Sequence, residues 1–189
     1  MTTGQARNPG IPFVEFPKIA RYSREVVVTE KIDGTNAQIY INDTMTDVFA
    51  GSRSQWIGPD GDNFGFARWV AENKEELLKL GPGSHFGEWW GAGIQRRYDL
   101  KEKRLSLFNT HRWSDAAARP ACCGVVPILW QGPFDQLDVN AILGKLKEGG
   151  SVAAPGFMKP EGIVIYHTAA QWLLKKTLEK DDAPKGQAR

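Results

Sequence analysis

The 189-residue sequence contains only two cysteines, Cys122 and Cys123, and they are adjacent. Adjacent cysteines suit neither an ordinary structural disulfide nor a four-ligand zinc site. We therefore expect a reducing, cytoplasmic setting. The sequence also lacks a long apolar run, which excludes a membrane span, and residues 1–10 lack the apolar core of a signal peptide.

The sequence also lacks a large excess of positive or negative charge, since its net charge is only +2. This mild excess permits an anionic partner without requiring one, so any contact with nucleic acid must depend on local charge. The hydrophobic content of 41% and charged content of 24% are typical of a soluble globular protein. We predict a flexible leader over residues 1–10, a single domain over residues 11–180 and a polar tail over residues 181–189.

The spacing of apolar residues predicts many strands and two helices. The predicted strands are Glu25–Glu30, Ala37–Ile41, Asp47–Ala50, Ser84–Trp89, Leu105–Phe108, Val125–Trp130, Gly162–Tyr166 and Trp172–Leu178. Helical spacing predicts helices at Asn63–Leu80 and Val139–Lys147, and Asn42-Asp43 predicts a hairpin turn. Because no regular alternation of strand and helix is present, the pattern indicates an α+β fold of largely antiparallel sheets.

A lysine beside two carboxylates ends the first predicted strand, in the stretch Glu30-Lys31-Ile32-Asp33-Gly34. A lysine becomes a nucleophile only when burial or nearby cations lower its pKa. The glycine would allow the backbone to come close to a ligand. A K-x-D-G match arises by chance in roughly a few per cent of chains of this length, and a surface ion pair is the alternative interpretation.

Two carboxylates stand at the ends of other predicted strands. Glu88 lies among aromatic residues in "HFGEWWGAGIQ", where a carboxylate must be paired, bound to a metal or exposed. Glu161 opens the apolar strand "EGIVIY". Together they could supply oxygen ligands to Mg²⁺, which usually keeps several waters and binds phosphate oxygens. The alternatives are an exposed acid on an edge strand for Glu88 and a turn residue for Glu161.

Two basic stretches could contact phosphate. Lys175 and Lys176 are adjacent on a predicted strand, so their side chains point to opposite faces and only one can face Lys31. The stretch "IQRRYDLKEKR", residues 94–104, gathers five cationic residues around Tyr98. It is either a solvated loop or a surface that binds backbone phosphates.

The ordered set of motifs resembles the covalent nucleotidyltransferase superfamily of polynucleotide ligases and mRNA capping enzymes. It is most similar to the ATP-dependent RNA ligases of the phage RNA ligase 2 type. Residues 31–34 resemble the K-x-D-G nucleophile motif of that superfamily, and Thr35-Asn36 resembles the extension typical of this branch. The further matching stretches are "FPKI", "GSRS", "FGEWWGAGIQ", "LSLFNT", "EGIVIY" and "WLLKKTL", which extend the resemblance from about Phe16 to Asp182.

The resemblance implies a nucleotidyltransferase (ATP-grasp-like) domain of largely antiparallel sheets with flanking helices. Ligases of this superfamily normally carry a further C-terminal domain, but the sequence ends soon after the last motif, so we expect no C-terminal OB or helical domain. It implies an RNA ligase acting on nicked duplexes or single-strand ends, with ATP and Mg²⁺ or Mn²⁺ as cofactors. DNA-containing duplexes are a further substrate class. A small DNA ligase of the same superfamily and a nucleotide- or RNA-binding module that has lost ligation are the alternatives. A partner protein could help to bind the nucleic acid in place of a second domain.

The resemblance also implies a role for each site residue. Lys31 would attack the α-phosphorus of ATP to form lysyl–AMP, the AMP would pass to a 5′-phosphate, and a 3′-hydroxyl would then displace it. The implied nucleotide-binding residues are Glu30, Lys31, Asp33, Gly34, Asn36, Arg53, Glu88, Phe108, Glu161, Lys175 and Lys176.

Among these, Glu30 would read the adenine, Phe108 would stack on it, and Glu88 and Glu161 would hold the metal. The family usually carries K-x-K where this chain has adjacent lysines. The spacing W-L-x-x-K favours Lys176 over Lys175 as the catalytic cation.

Overall fold

The computed structural model describes residues 10–179 and 181, and within them ten strands form two sheets. The strands are β1 Glu25–Lys31, β2 Thr35–Ile41, β3 Val48–Gly51, β4 Trp56–Ile57, β5 Gly83–Gly91, β6 Lys103–Leu107, β7 Cys123–Val125, β8 Ile128–Pro133, β9 Gly162–His167 and β10 Trp172–Thr177. The α-helices are α1 Phe66–Glu72, α2 Lys74–Leu77, α3 Thr110–Trp113 and α4 Val139–Gly149. Short 3₁₀ helices cover Pro59–Gly61, Leu78–Leu80 and Phe134–Gln136.

The larger sheet has six strands in the order β4-β3-β2-β5-β6-β7, and every pair is antiparallel except β6 with β7. Along β2, Ala37, Ile39 and Ile41 alternate with polar residues, so they share one face. That face is buried against Phe66 and Val70 of α1. The opposite face of β2 carries Asn36, Gln38 and Tyr40, which are partly exposed. The candidate site lies on this second face of the sheet.

The smaller sheet has four antiparallel strands in the order β10-β9-β1-β8. Val26 and Val28 of β1 pack with Ile163 and Ile165 of β9 beneath the apolar side of α4. The helix begins after Asp138, whose carboxylate accepts the backbone N–H of Ala141 at 2.9 Å and so caps the first turn.

A third apolar cluster joins the two sheets. Its buried members include Ile32, Trp90, Tyr98, Val126 and Phe157, which come from five separate segments of the chain. Because the first of these follows β1 directly and the second lies on β5, the cluster fixes the K-x-D-G segment against the larger sheet.

The α+β fold with largely antiparallel sheets is confirmed, and the strands predicted at both ends of the chain are present with boundaries shifted by one or two residues. The helix predicted at Asn63–Leu80 is wrong as one element. It is divided at Asn73, whose φ of −107° and ψ of 16° lie outside the helical region and whose side-chain amide also donates to the carbonyl of Trp69 at 2.8 Å.

The strand predicted at Val125–Trp130 is also wrong as one element. It is two strands, β7 and β8, and they belong to different sheets. Pro127 lies between them and has no backbone N–H to pair, while its carbonyl accepts the N–H of Glu30 at 3.0 Å.

The predicted leader and tail lie outside the described residues except for Gly10 and Asp181, so they stay predictions, as does the extent of the single domain. Among residues 10–179 and 181, no helix is long and apolar enough to cross a membrane.

Gly162 offers a direct test of the strand pairing in the smaller sheet. Its φ is +155°, and a Cβ there would overlap the carbonyl oxygen of Lys176 and lie 2.7 Å from the Cα of Thr177. We predict that Gly162→Ala destabilises the protein by on the order of 2 kcal/mol, measured by urea unfolding. Gly144→Ala is the matched control, because a Cβ at this position in α4 meets no atom within 4 Å. Equal stability of the two variants would contradict the register.

Candidate functional site

The side chains of Lys31 and Glu161 form an ion pair between the two central strands of the smaller sheet. Lys31 ends β1 and pairs with Gly162 at the start of β9, so the preceding residue, Glu161, comes beside it. The Nζ of the lysine lies 2.6 Å from Oε2 of the glutamate, and the two side chains are only 17% and 10% exposed. The amine is therefore held at a fixed position by a carboxylate that is largely shielded from water.

Gly34 and Glu88 form the second contact of the site. The Gly34 N–H donates to Oε1 of Glu88 at 3.0 Å. A Cβ at Gly34 would overlap the carbonyl oxygen of Trp89 and lie 2.7 Å from the Cβ of Trp90, so only glycine allows this approach. The contact brings the K-x-D-G segment onto β5.

Burial raises the pKa of Glu88 to about 7, because desolvation penalises the charged carboxylate. The positive charge of Lys31 and the hydrogen bond from Gly34 oppose this shift, while the charges of Glu161 and Asp33 add to it. Near neutral pH this carboxyl group therefore exchanges readily between its charged and neutral forms.

A cavity of about 450 Å³ opens beside these contacts. The sequence-predicted residues in its lining are Lys31, Asp33, Gly34, Asn36, Arg53 and Glu88. Nε of Arg53 donates to Oδ1 of Asn36 at 2.8 Å, which holds the guanidinium at the wall formed by β2. The cavity thus brings an amine, a guanidinium and a carboxyl group together, a set suited to a phosphorylated ligand.

Arg96 and Tyr98 hold Asp33 in place, a role that the sequence did not reveal. Nε of Arg96 donates to the Asp33 carboxylate at 3.0 Å, and the Tyr98 hydroxyl accepts the Asp33 N–H at 2.7 Å. Burial raises the pKa of the Tyr98 hydroxyl above its ordinary value, so it stays protonated. The sequence indicated only phosphate binding or solvation for residues 94–104. Tyr98 has a φ of +51°, which no sequence pattern here predicts.

Glu30 does not line the cavity. Side chains alternate along β1, so it points away from the Lys31 side. Its carboxylate, 1% exposed, accepts the Ser151 hydroxyl at 2.5 Å and the N–H groups of Val152 and Ala153 at 2.8 Å each. These donors tie the loop after α4 to β1, so Glu30 joins two segments of the fold, and its expected contact with adenine stays a prediction.

Phe108 follows β6 and is 42% exposed. The pairing of Glu88 with Ser106 places Phe108 on the same face of the sheet as Glu88, two residues further along, although it lies outside the cavity lining. The structure therefore leaves its ring available on the open face of the sheet.

The strand register places Lys175, and not Lys176, on the face of the sheet that carries Lys31. Lys175 pairs with Val164 and Thr177 pairs with Gly162, so both share the face of Lys31. Lys176 pairs with Ile163 on the other face, and its Nζ lies 2.7 Å from Asp181. On the Lys31 face the chain therefore presents Lys175-x-Thr177.

The carboxylates predicted as metal ligands, Glu88 and Glu161, are both buried near Lys31. Within the described part of the chain, no group of three or more His, Cys, Asp or Glu side chains is arranged to hold a metal ion. Two carboxylates nevertheless suit Mg²⁺ or Mn²⁺, because these ions complete their coordination with water and phosphate oxygens. The donor set fits a divalent cation that binds together with a phosphorylated ligand.

Comparison with known proteins assigns the chain to a family. The family model for RNA ligase matches residues 24–180. Since the match covers most of the sequence and includes every predicted site residue, the chain belongs to the RNA ligase family. No curated protein sequence matches the chain.

Solved structures show the same nucleotidyltransferase fold. A mutant of the Naegleria gruberi RNA ligase with ATP and Mn is similar with a TM-score of 0.62 and 20% identity. A second mutant, with AMP and Mn, has the same TM-score and identity, and an apo mutant has a TM-score of 0.61 and 21% identity. In each case the match covers 82% of this chain and 50% of the other. The chain thus matches about half the length of these structures.

The raised pKa of Glu88 predicts a pH-dependent stability. The native state retains a proton on Glu88 between the ordinary pKa of 4.5 and about 7, so the stability present below pH 4.5 is lost as the pH rises through 7. Glu88→Gln keeps an acceptor for Gly34 but cannot ionise. We expect the variant to gain on the order of 3 kcal/mol relative to wild type between pH 4.5 and 8, measured by urea unfolding.

The exposed substitution Glu72→Gln is the control for this experiment. Parallel stability curves for wild type and Glu88→Gln across the whole pH range would contradict the raised pKa.

Proposed function

We propose that the protein is an ATP-dependent RNA ligase that joins 5′-phosphate and 3′-hydroxyl ends through a lysyl–AMP intermediate on Lys31. The observation that carries this proposal is the placement of the Lys31 amine in the lining of the cavity, beside Glu88 and Arg53 and 2.6 Å from Glu161. Membership of the RNA ligase family supports it, and so do the similar structures with ATP or AMP and Mn.

In the first step, ATP would be the substrate that Lys31 attacks. A bond forms between Nζ and the α-phosphorus while the bond to pyrophosphate breaks. The ammonium must first lose a proton, and the nearest acceptor is the Glu161 carboxylate. Arg53, which lines the cavity, and Lys175, which shares the sheet face of Lys31, are cations that would stabilise negative charge on the phosphates.

Glu88 and Glu161 would supply oxygen ligands to Mg²⁺ or Mn²⁺, which would neutralise charge on the phosphate groups. Asp33 and Gly34 would hold the nucleophile loop against β5, since their backbone N–H groups are already bound by Tyr98 and Glu88. Phe108 would stack on the adenine from the open face of the sheet.

In the later steps the AMP would pass from Lys31 to a 5′-phosphate, and a 3′-hydroxyl would displace it to seal the strand. Asn36, which positions Arg53, would act on the phosphates in these steps. We propose RNA ends, in nicked duplexes or single strands, as the substrate. DNA-containing duplexes and a partner protein stay predictions from the sequence. The free thiols of Cys122 and Cys123 fit the proposed cytoplasmic setting.

Covalent labelling tests the first step. After incubation with α-labelled ATP and Mg²⁺ or Mn²⁺, we expect label to remain with the wild-type chain on a denaturing gel. Lys31→Ala should abolish the label because it removes the nucleophile, whereas Lys145→Ala, an exposed change in α4, should retain it. Label on Lys31→Ala, or no label on the wild type, would contradict the proposal.

The register makes a separate prediction for the two adjacent lysines. Lys175→Ala should slow the formation of lysyl–AMP by about tenfold to a thousandfold, because it removes a cation from the side of the sheet where the phosphate charge develops. Lys176→Ala should change the rate by less than about threefold, since its side chain lies on the other face. Single-turnover labelling measures both rates, and the reverse order would show that the register does not determine the role.

A further inference from the structure

Three aromatic side chains form a cluster on the open face of the larger sheet, beyond the cavity. Tyr40 and Phe49 are directly opposite each other on β2 and β3. Trp56 of β4 lies over Gly51, where an added Cβ would meet its indole ring at 3.2 Å. The three ring centroids are 6.0 to 6.4 Å apart. We call these three residues the aromatic platform.

The aromatic platform is exposed to solvent. Phe49 is 49% exposed and Trp56 is 57% exposed, while Tyr40 is partly buried. Helices α1 and α2 cover the other face of this sheet, where Ile39 and Ala50 alternate with the aromatic residues along the strands. Exposed apolar side chains that adjoin one another, unlike those scattered singly, are a feature of binding surfaces.

The platform is continuous with the candidate active site along β2. Asn36, in the cavity lining, and Tyr40 share one face of the strand and are separated by about 13 Å. Gln38 lies between them, with its side chain bonded to Ser84 at 3.1 Å. Arg53, held by Asn36 at 2.8 Å, stands where the cavity meets this face and can bind a phosphate.

We propose that the aromatic platform stacks unpaired bases of the RNA strand whose end occupies the cavity. This inference rests on the proposed function, because it assigns the surface that holds the strand during end joining. Exposed rings accept any base by stacking, and the nearby guanidinium accepts the backbone phosphate. Gln38, which pairs with Gly51 beneath Trp56, and Ser84, which pairs with Tyr40, are polar neighbours of the rings, and they favour a wet nucleic-acid contact over the dry core of a protein interface.

Binding of a fluorescent single-stranded oligoribonucleotide, followed by anisotropy, tests the proposal. Trp56→Ala should raise Kd by about fivefold to a hundredfold, and Trp56→Phe should retain most of the affinity because it keeps a ring. Trp172→Ala is the matched control, since Trp172 is 70% exposed but lies on β10 of the other sheet. The factor by which Trp56→Ala raises Kd should be the same at low and high salt, because the rings carry no charge.

A second arm separates base stacking from a structural effect. An oligoribonucleotide of the same length with abasic positions keeps its phosphates but has no bases to stack. Trp56→Ala should not weaken its binding further, so the two changes should be non-additive. Equal losses on intact and abasic strands, or no loss on either, would overturn the proposal. A wild-type dimer that Trp56→Ala converts to a monomer would also overturn it, because the face would then bind a second copy.

The same variants distinguish this inference from the proposed function. The platform lies outside the residues that contact Lys31, so Trp56→Ala should form lysyl–AMP at the wild-type rate. If Trp56→Ala forms lysyl–AMP normally and binds RNA as tightly as the wild type, the role of the platform is refuted and the proposed function is not. If the wild type takes up no label yet binds RNA through Trp56, the ligase mechanism fails and the platform stands as an RNA-binding surface.

Discussion

The antiparallel pairing of β1 with β9 is the constraint on which the site depends. It places Lys31 opposite Gly162, and this in turn brings Glu161 within 2.6 Å of the lysine amine. Gly162 has no side chain, so the backbone of β10 can approach closely and Lys175 and Thr177 fall on the same side as the amine. One register therefore determines the position of the nucleophile, its carboxylate partner and the nearest cation of the last strand.

The electrostatics of the site follow from the burial of its charged side chains. Lys31, Glu88 and Glu161 lie near one another in a region with limited access to water, so their charges interact strongly. The shift in the pKa of Glu88 shows that burial outweighs the favourable effect of the lysine. A cation that binds with a phosphorylated substrate would relieve this cost, which links the electrostatics of the site to its proposed chemistry.

The elements and motifs with a local signal could be predicted from the sequence. The K-x-D-G segment, the glutamates that open or end strands, and most strands of the two sheets were found in this way. Residues whose roles depend on register or on positive φ could not. The sequence puts Lys175 and Lys176 on opposite faces, but only the pairing with β9 shows which of them shares the face of Lys31. Tyr98 contacts Asp33 only because its loop adopts a conformation unusual for tyrosine. The apolar stretch around Pro127 predicted one strand, but its two parts are separate strands that belong to different sheets.

The central claim is that Lys31 is the nucleophile that this register prepares. The most direct measurement is peptide mapping by mass spectrometry after the protein has reacted with ATP and Mg²⁺ or Mn²⁺. The account predicts a single AMP adduct, located on Lys31. An adduct on another residue, such as Lys175, or an unmodified protein that nevertheless seals RNA, would contradict it.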